Sequence, residues 1–318
     1  MDLSIVTTMY KSRAYVAEFV RRVSAEARKL TASFEIVLVN DGSPDDSFVI
    51  ARALSAGDPH IRVIDLSRNY GHHLAMMCGI RHALGDRVFL IDVDLEESPE
   101  ALGGFWSRME AEPEVDVVVG QLEQKTVPFA KRLTSDLFYK VFNTFSSIGI
   151  SDRDIVSRLM KRNYVDALCN YGEREIFFPA VWEDAGFRQV RMTATKTYDG
   201  NSSYTLRKKM VMAVDAVTTF SSKPLIYIFY LGLLFSLGAS LAIIYLVIRK
   251  FAVGQVFLGW TSLMAVLFFI GGIIIFSLGV VGIYVSKVFV EVKRRPQTAV
   301  RQIYVDCEPI RVGVSPPR

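Results

Sequence analysis

The sequence contains only three cysteines in 318 residues, Cys78, Cys169 and Cys307. Their number is odd, they lie far apart, and none belongs to a C-x-x-C or histidine-paired spacing. The sequence therefore indicates neither a disulfide framework nor a zinc site. We expect reduced thiols with structural roles.

Four further features are missing, and each absence argues against a class of protein or partner. The first residues lack a basic segment followed by an apolar one, so no cleaved secretory signal is predicted and the first two hundred or so residues are expected to stay in the cytosol. No glycine-rich dinucleotide fingerprint follows the first strand and no G-x-x-x-x-G-K-[ST] loop occurs, which argues against NAD-type and P-loop nucleotide binding. A formal net charge of +4 is too small to indicate a nucleic-acid partner.

Charge is also missing from two long stretches, residues 224–248 and 251–286. Apolar residues make up 51% of the chain, and they are most concentrated in these two stretches. Each stretch is longer than the roughly 20 residues that a helix needs to cross a bilayer. This excludes a purely soluble protein and predicts two transmembrane helices, at about 224–248 and 257–286.

Basic residues flank this pair of helices on its outer sides and are rare between them. Only Arg249 and Lys250 lie between the stretches, whereas nine lie outside: Arg207, Lys208, Lys209, Lys223, Lys287, Lys293, Arg294, Arg295 and Arg301. Because positive residues favour the cytoplasmic side, we expect a hairpin whose tip, residues 249–255, lies across the membrane, with residues 287–318 as a cytosolic tail. Residues 204–223 predict an amphipathic helix at the membrane surface, with an ordinary surface helix as the alternative.

The first part of the chain alternates short β-branched runs with helical patterns. Strands are predicted at residues 3–8, 34–39, 61–66, 88–91 and 115–119, and helices at 14–30, 46–56, 72–84 and 100–111. This alternation predicts an α/β domain over residues 1–203 with a parallel sheet covered on both faces. Ligands bind such sheets at the carboxyl ends of the strands.

Those strand ends are polar and rich in carboxylates. Asp92 and Asp94, with Glu96 two residues further on, can place hard oxygen ligands around one Mg²⁺ or Mn²⁺ that bridges a diphosphate, although a solvated turn is the alternative. The Asn-Asp-Gly-Ser-Pro-Asp-Asp run at residues 40–46 is typical of a turn that caps the next helix through Asp45 or Asp46. Asp41 is then left to face a ligand.

Several of these segments carry a family resemblance. They are Ile-Val-Thr-Thr-Met-Tyr at residues 5–10, the turn at 39–45, Ser-Arg-Asn-Tyr-Gly at 67–71, Ile-Asp-Val-Asp-Leu at 91–95 and Ser-Pro-Glu at 98–100, followed by residues 200–208, 220–225 and 291–296. Together they resemble the family 2 glycosyltransferases of GT-A fold. The closest similarity is to the polyprenyl-phosphate branch, which includes dolichol-phosphate mannose synthase and the bactoprenol glucosyltransferases.

The resemblance implies an inverting transfer of a sugar from a nucleotide-sugar to a polyprenyl phosphate with one divalent cation, Mg²⁺ or Mn²⁺. It implies an integral protein of the bacterial cytoplasmic membrane, with the catalytic domain in the cytosol and a homo-oligomeric assembly. On this basis the nucleotide-sugar site comprises Thr8, Tyr10, Asp41, Ser43, Arg68 and Asp92. Asp92 and Asp94 are the implied catalytic residues, and Asp94 and Glu96 the implied metal ligands.

The acceptor phosphate requires cationic side chains. Lys131 and Arg132, followed by Ser135, match in spacing a basic segment with which relatives are thought to hold the lipid phosphate, and Lys196 lies near a second such position. The alternative for Lys131 and Arg132 is a solvated helix face.

The sequence also departs from the family pattern around the expected sugar and acceptor sites. The departures are Lys11-Ser12 after the first strand, Glu-Glu-Ser-Pro at residues 96–99, the segment 155–160 and the segment 120–125. His72, His73, Trp106 and Trp182 have no assigned role. A processive polysaccharide synthase is disfavoured because no Gln-x-x-Arg-Trp segment occurs; a membrane-anchored binding or scaffold protein of the same fold is the non-enzymatic alternative. The sequence identifies neither the sugar nor the base of the nucleotide.

Overall fold

The computed structural model describes residues 1–122, 149–151, 153–174, 176–194, 218, 221, 223–253 and 259–310. These residues fall into two compact units. The first contains the described residues up to 194 together with residues 295–310. The second contains the described residues between 218 and 294.

The first unit begins with the predicted alternation of strands and helices. In order these are β1 (Leu3–Met9), α1 (Val16–Leu30), β2 (Phe34–Asn40), α2 (Ser47–Ser55), β3 (Ile61–Leu66), α3 (His72–His82), β4 (Arg87–Leu90), α4 (Ala101–Ala111) and β5 (Val117–Leu122). Each lies within three residues of its predicted bounds. β1 and β2 are buried along their whole length, as parallel strands covered on both faces should be.

The sheet is mixed, which corrects the prediction of a parallel sheet. The chain continues with β6 (Asp154–Lys161), α5 (Arg162–Cys169), α6 (Phe178–Asp184) and β7 (Gln189–Ala194). The prediction is right for β3, β2, β1 and β4, which pair parallel in that order. It is wrong beyond β4, because β6 inserts antiparallel between β4 and β5, while β7 pairs parallel with β5 on the far side.

The last described residues complete the other edge of the same sheet. β8 (Val300–Val305) pairs antiparallel with β3, and β9 (Glu308–Ile310) pairs antiparallel with β8. The sequence prediction treats residues 287–318 as a tail apart from the domain. Residues 300–310 instead extend its sheet, because β3 would otherwise present an unpaired edge.

The second unit contains two long helices at the predicted positions, α7 (Lys223–Val253) and α8 (Trp260–Val292). Within α8, Phe269–Val292 is long and apolar enough to cross a membrane, with a mean hydropathy of 2.3. In α7, the described residues include a shorter apolar stretch, Lys223–Phe235. One candidate span is therefore supported, and the two-helix hairpin stays a prediction. The predicted amphipathic helix at 204–223 lies largely outside the described residues. Of the predicted hairpin tip, residues 249–253 belong to α7, and residues 254 and 255 lie outside the described residues.

Close packing of α3 on the sheet depends on a residue without a side chain. A Cβ atom at Gly79 would lie 2.5 Å from Val6 Cγ1 and 2.9 Å from Val39 Cγ2. Both valines belong to the buried central strands and have no space to retreat. Gly79 thus sets the distance between α3 and the strands β1 and β2.

We predict that Gly79→Ala destabilises the first unit by about 1–3 kcal/mol through overpacking. Gly103→Ala is the matched control, because a Cβ atom at this helical position in α4 meets nothing within 4 Å. The control should stabilise the protein by about 0.5–1 kcal/mol, since alanine is the better helix former. Thermal unfolding followed by tryptophan fluorescence measures both; equal midpoints for the two variants would contradict the prediction.

Candidate functional site

A cleft of about 290 Å³ lies at the carboxyl ends of β1, β2 and β4. Parallel strands bring these ends to one edge of the sheet, so residues distant in sequence meet there. The cleft is lined by Thr8, Tyr10, Lys11, Ser12, Tyr15, Asp41, Asn69, His72, Asp92, Val93 and Asp94. Five of the predicted site residues are among them: Thr8, Tyr10, Asp41, Asp92 and Asp94.

Asp41 joins the loop after β2 to the loop after β3. Its carboxylate is buried and accepts the main-chain N–H groups of Tyr70, at 2.7 Å, and Gly71, at 3.0 Å. The Asn69 side-chain amide donates to the Asp41 carbonyl at 3.2 Å. Burial raises the pKa of Asp41 above its usual range, although the two main-chain hydrogen bonds oppose that rise. The carboxylate therefore serves first as an anchor for the cleft wall.

The two loops approach each other too closely for a side chain at position 42. Gly42 has a φ of +60°, and a Cβ atom there would lie 2.6 Å from both Arg68 C and Asn69 N. These are backbone atoms that cannot move aside without shifting the loop. Glycine is thus required by both the backbone conformation and the space.

Ser43 and Asp45 stabilise the turn that follows β2. The Ser43 hydroxyl accepts the Lys11 N–H at 2.7 Å and donates to Asp45 at 2.6 Å. Asp45 also accepts the N–H groups of Arg13 and of Ser47, the first residue of α2. Burial alone would raise the pKa of Asp45, but these hydrogen bonds hold it well below its usual range. The N-cap residue is Asp46, whose side chain makes no capping hydrogen bond. Ser43 is not among the lining residues; its hydroxyl supports the loop, and its contact with a nucleotide stays a prediction.

Asp92 is held by a histidine to which the sequence assigned no role. His72 Nε2 lies 3.4 Å from an Asp92 carboxylate oxygen, and its Nδ1 lies 3.1 Å from the Thr8 hydroxyl. His72 is the first residue of α3, directly after the loop that donates to Asp41. That position next to a strand-end loop was the signal in the sequence that could have identified it.

Asp94 and its neighbours form a tight turn tied to β6. Asp94 accepts the Glu96 N–H at 3.0 Å across Leu95, whose φ is +60°. The buried Glu97 carboxylate accepts the N–H groups of Val156, at 3.3 Å, and Ser157, at 2.8 Å. An antiparallel strand that the sequence did not predict thus fixes the loop that carries Asp94.

The carboxylates fit a divalent cation that is shared with a ligand. Among the described residues, no three histidine, cysteine, aspartate or glutamate side chains form a group that would hold a metal by themselves. Asp92 and Asp94 nevertheless line the cleft with hard oxygen ligands. Mg²⁺ is commonly held by one or two carboxylates together with substrate phosphates rather than by a complete protein cage. Glu96, the other predicted metal ligand, is not among the lining residues.

The remaining predicted residues lie away from the cleft lining or outside the described part of the chain. The Arg68 guanidinium stacks on the Tyr70 ring, 4.1 Å from its centroid. Arg68 does not line the cleft. The four predicted acceptor-phosphate residues, Lys131, Arg132, Ser135 and Lys196, lie outside the described residues.

Two of the residues without an assigned role, His73 and Trp182, make contacts within the fold. His73 donates its Nδ1–H to the Ile176 carbonyl at 2.9 Å, and burial lowers its pKa. Trp182 covers the guanidinium of Arg158, which is fully buried and donates to the carbonyl groups of Ile155 and Val156. Burial lowers the pKa of Arg158 to about 10, so the side chain remains charged at neutral pH.

Residues 4–169, just over half of the chain, match the family described as Glycosyl transferase family 2. A Mycobacterium tuberculosis protein described as a glycosyltransferase is 43% identical over 304 residues, which cover 96% of this chain and 89% of that one. An uncharacterized glycosyltransferase of Bacillus subtilis is 31% identical, with 96% and 94% covered. A prophage bactoprenol glucosyl transferase homolog of Escherichia coli is 28% identical, with 95% and 99% covered. The family match runs from β1 through α5 and includes every residue that lines the cleft.

We predict that Asp41→Ala releases the loop after β3. The N–H groups of Tyr70 and Gly71 lose their acceptor, so their amide exchange should accelerate by about tenfold or more. Hydrogen exchange read by mass spectrometry on a peptide that spans residues 67–74 measures this. Asp45→Ala is the control and should accelerate the Arg13 and Ser47 amides instead; unchanged protection of Tyr70 and Gly71 in Asp41→Ala would refute the role of the carboxylate.

Proposed function

The chain belongs to glycosyl transferase family 2, and from this membership we propose that it transfers a sugar from a nucleotide-sugar to a polyprenyl phosphate at the cytosolic face of a membrane. The observation that carries the proposal is the convergence of Asp41, Asp92 and Asp94 on one cleft. Asp41 suits the nucleoside end of a donor, and the Asp92–Asp94 end suits its diphosphate.

The nucleoside end of the cleft offers one stacking surface and one acceptor group. Tyr10 lines the cleft with 46% of its surface exposed, and an exposed ring is a natural platform for a planar base. Each Asp41 carboxylate oxygen accepts one main-chain N–H. A carboxylate has about four acceptor positions, so capacity remains for a hydroxyl or N–H of the nucleoside.

At the diphosphate end, Asp94 would hold a divalent cation, with Asp92 beside it. A bound cation would neutralise the negative charge that develops on the departing diphosphate. The Thr8 hydroxyl, by donating to His72 Nδ1, favours the tautomer that directs an N–H toward Asp92. This arrangement keeps the Asp92 carboxylate oriented toward the donor.

Transfer in this cleft requires few proton movements. An oxygen of the acceptor phosphate attacks the anomeric carbon from the side opposite the nucleoside diphosphate, and the bond from that carbon to the diphosphate oxygen breaks. The electron pair of this bond remains on the diphosphate, and the configuration of the sugar inverts. Because the acceptor is already an anion, the protein needs to position it rather than deprotonate it.

A lipid acceptor is supported by the second unit and by the relatives. The exposed apolar surface of α8 suits lipid, and the Escherichia coli relative is named for bactoprenol. A membrane anchor raises the local concentration of a lipid phosphate and gives no such gain with a soluble alcohol. Lys131, Arg132, Ser135 and Lys196 remain the proposed acceptor-phosphate residues. We also retain a homo-oligomer in a bacterial cytoplasmic membrane as part of the proposal.

The proposed function predicts a lipid-linked product. The purified full-length protein, incubated with polyprenyl phosphate, MnCl₂ and a panel of radiolabelled UDP- and GDP-sugars, should transfer label from one donor into an organic-soluble product. Free polyprenol is the matched control acceptor and should take up no label, because it lacks the attacking phosphate. Equal labelling of polyprenol, or labelling of a protein only, would contradict the proposal.

Transfer should depend on Asp94 and on a divalent cation. Asp94→Ala removes a cleft carboxylate, and loss of charge neutralisation on the leaving group costs several kcal/mol of barrier, or about a thousandfold in rate. Asp166→Ala, which truncates an exposed carboxylate on α5, is the control and should retain full activity. Initial rates with and without excess EDTA test both points; undiminished transfer in EDTA would exclude the cation.

A further inference from the structure

The strand that follows α8 in the sequence contains an irregularity beside the cleft loops. β8 pairs with β3 through Asp65 opposite Gln302 and Leu66 opposite Val300, so no β3 residue stands opposite Arg301. Such a bulge turns the side chain of the extra residue away from its regular direction, and bulges are frequent next to active sites.

The side chain at this bulge reaches two points on β3 and the loop after it. The Arg301 guanidinium donates to the Asp65 carboxylate at 3.1 Å and to the Ser67 carbonyl at 2.8 Å. The Asp65 side chain is 3% exposed, while that of Arg301 is 61% exposed. A surface arginine therefore neutralises a carboxylate that is removed from water.

Asp65 connects Arg301 to the loop after β2 through further hydrogen bonds. Its second carboxylate oxygen accepts the side-chain amide of Asn40 at 2.7 Å, and the Asn40 side-chain oxygen accepts the Ser43 N–H at 3.1 Å. Asn40 and Asp65 are both buried. The position of the turn that carries Asp41 thus depends on a hydrogen-bonded chain that begins at Arg301.

The loop after β3 is held from the same strand. Ser67 donates its N–H to the Ala299 carbonyl at 2.9 Å, while its own carbonyl accepts from Arg301. Three residues further on, this loop donates two main-chain N–H groups to Asp41. Both loops that meet at Asp41 are therefore tied to residues 299–301.

We propose that Arg301 is a positioning residue of the donor cleft: it fixes the loops after β2 and β3 and so sets the affinity for the nucleotide. The inference rests on the proposed function, because it takes the Asp41 end of the cleft as the nucleoside site. The pairing of β8 with β3 uses main-chain groups, so it does not require the Arg301 guanidinium. The side-chain amide of Gln302, the next residue, donates instead to the Ile310 carbonyl of β9 and the Ile303 carbonyl of β8.

The test compares full-length wild type, Arg301→Ala, Arg301→Lys and the control Gln302→Ala. Calorimetric titration with UDP and with GDP in MnCl₂ measures nucleotide affinity without any acceptor. For the nucleotide that binds the wild type, Arg301→Ala should raise Kd at least fivefold, and Gln302→Ala should leave it within twofold. Arg301→Lys should fall between them, because one ammonium group cannot donate to Asp65 and Ser67 in the geometry of the guanidinium. The KM for the sugar donor should follow Kd, and the KM for polyprenyl phosphate should stay within twofold.

A wild-type Kd in Arg301→Ala would overturn the inference. An equal loss of nucleotide affinity in Gln302→Ala would also overturn it, because the effect would then come from the stability of the strand and not from the Arg301 guanidinium. If Arg301→Ala does not fold, Arg301→Lys decides: a Kd raised at least twofold supports the inference, and an unchanged Kd overturns it. A wild type that binds nucleotide but labels no polyprenyl phosphate contradicts the proposed function alone. A wild type that binds neither nucleotide contradicts both.

Discussion

The hydrogen bonds from Tyr70 and Gly71 to the buried carboxylate of Asp41 are the contacts on which the cleft depends. A buried carboxylate without partners would cost several kcal/mol, so the loop after β3 must present its N–H groups wherever the loop after β2 presents Asp41. The contact in turn requires glycine at position 42, where the two backbones approach most closely. One buried charge therefore defines the relative position of two loops that are remote in sequence.

The other cleft carboxylates are held in the same manner by groups that do not themselves need to touch a ligand. His72 lies against Asp92, and Glu97 ties the loop that carries Asp94 to β6. A site built on rigid strands keeps its geometry only when each functional side chain is fixed by such neighbours. The supports come from α3, β6 and β8, elements on both sides of the central strands.

The sequence alone was sufficient to predict the strands and helices whose apolar pattern is regular. β1 to β4 and the helices between them follow directly from the alternation, and five of the predicted site residues line the cleft because parallel strand ends meet at one edge. β6 was not predicted because the buried charge of Arg158 interrupts its apolar run. β8 was not predicted because its partner lies more than two hundred residues earlier, and pairing over such a separation leaves no local pattern. His72 was left unassigned for the same reason, since its contacts with Thr8 and Asp92 exist only after folding.

The addition of β8 to β3 also affects how this protein is made. Residues 300–305 are synthesised after both long helices, so the edge of β3 stays unpaired while α7 and α8 leave the ribosome. An unpaired strand edge can pair with other chains and cause aggregation. The nascent domain is exposed to such pairing until β8 and β9 are synthesised. Synthesis therefore completes both long helices before it completes the sheet. A polypeptide whose synthesis stops after the helices would keep the edge of β3 open to pairing with other chains.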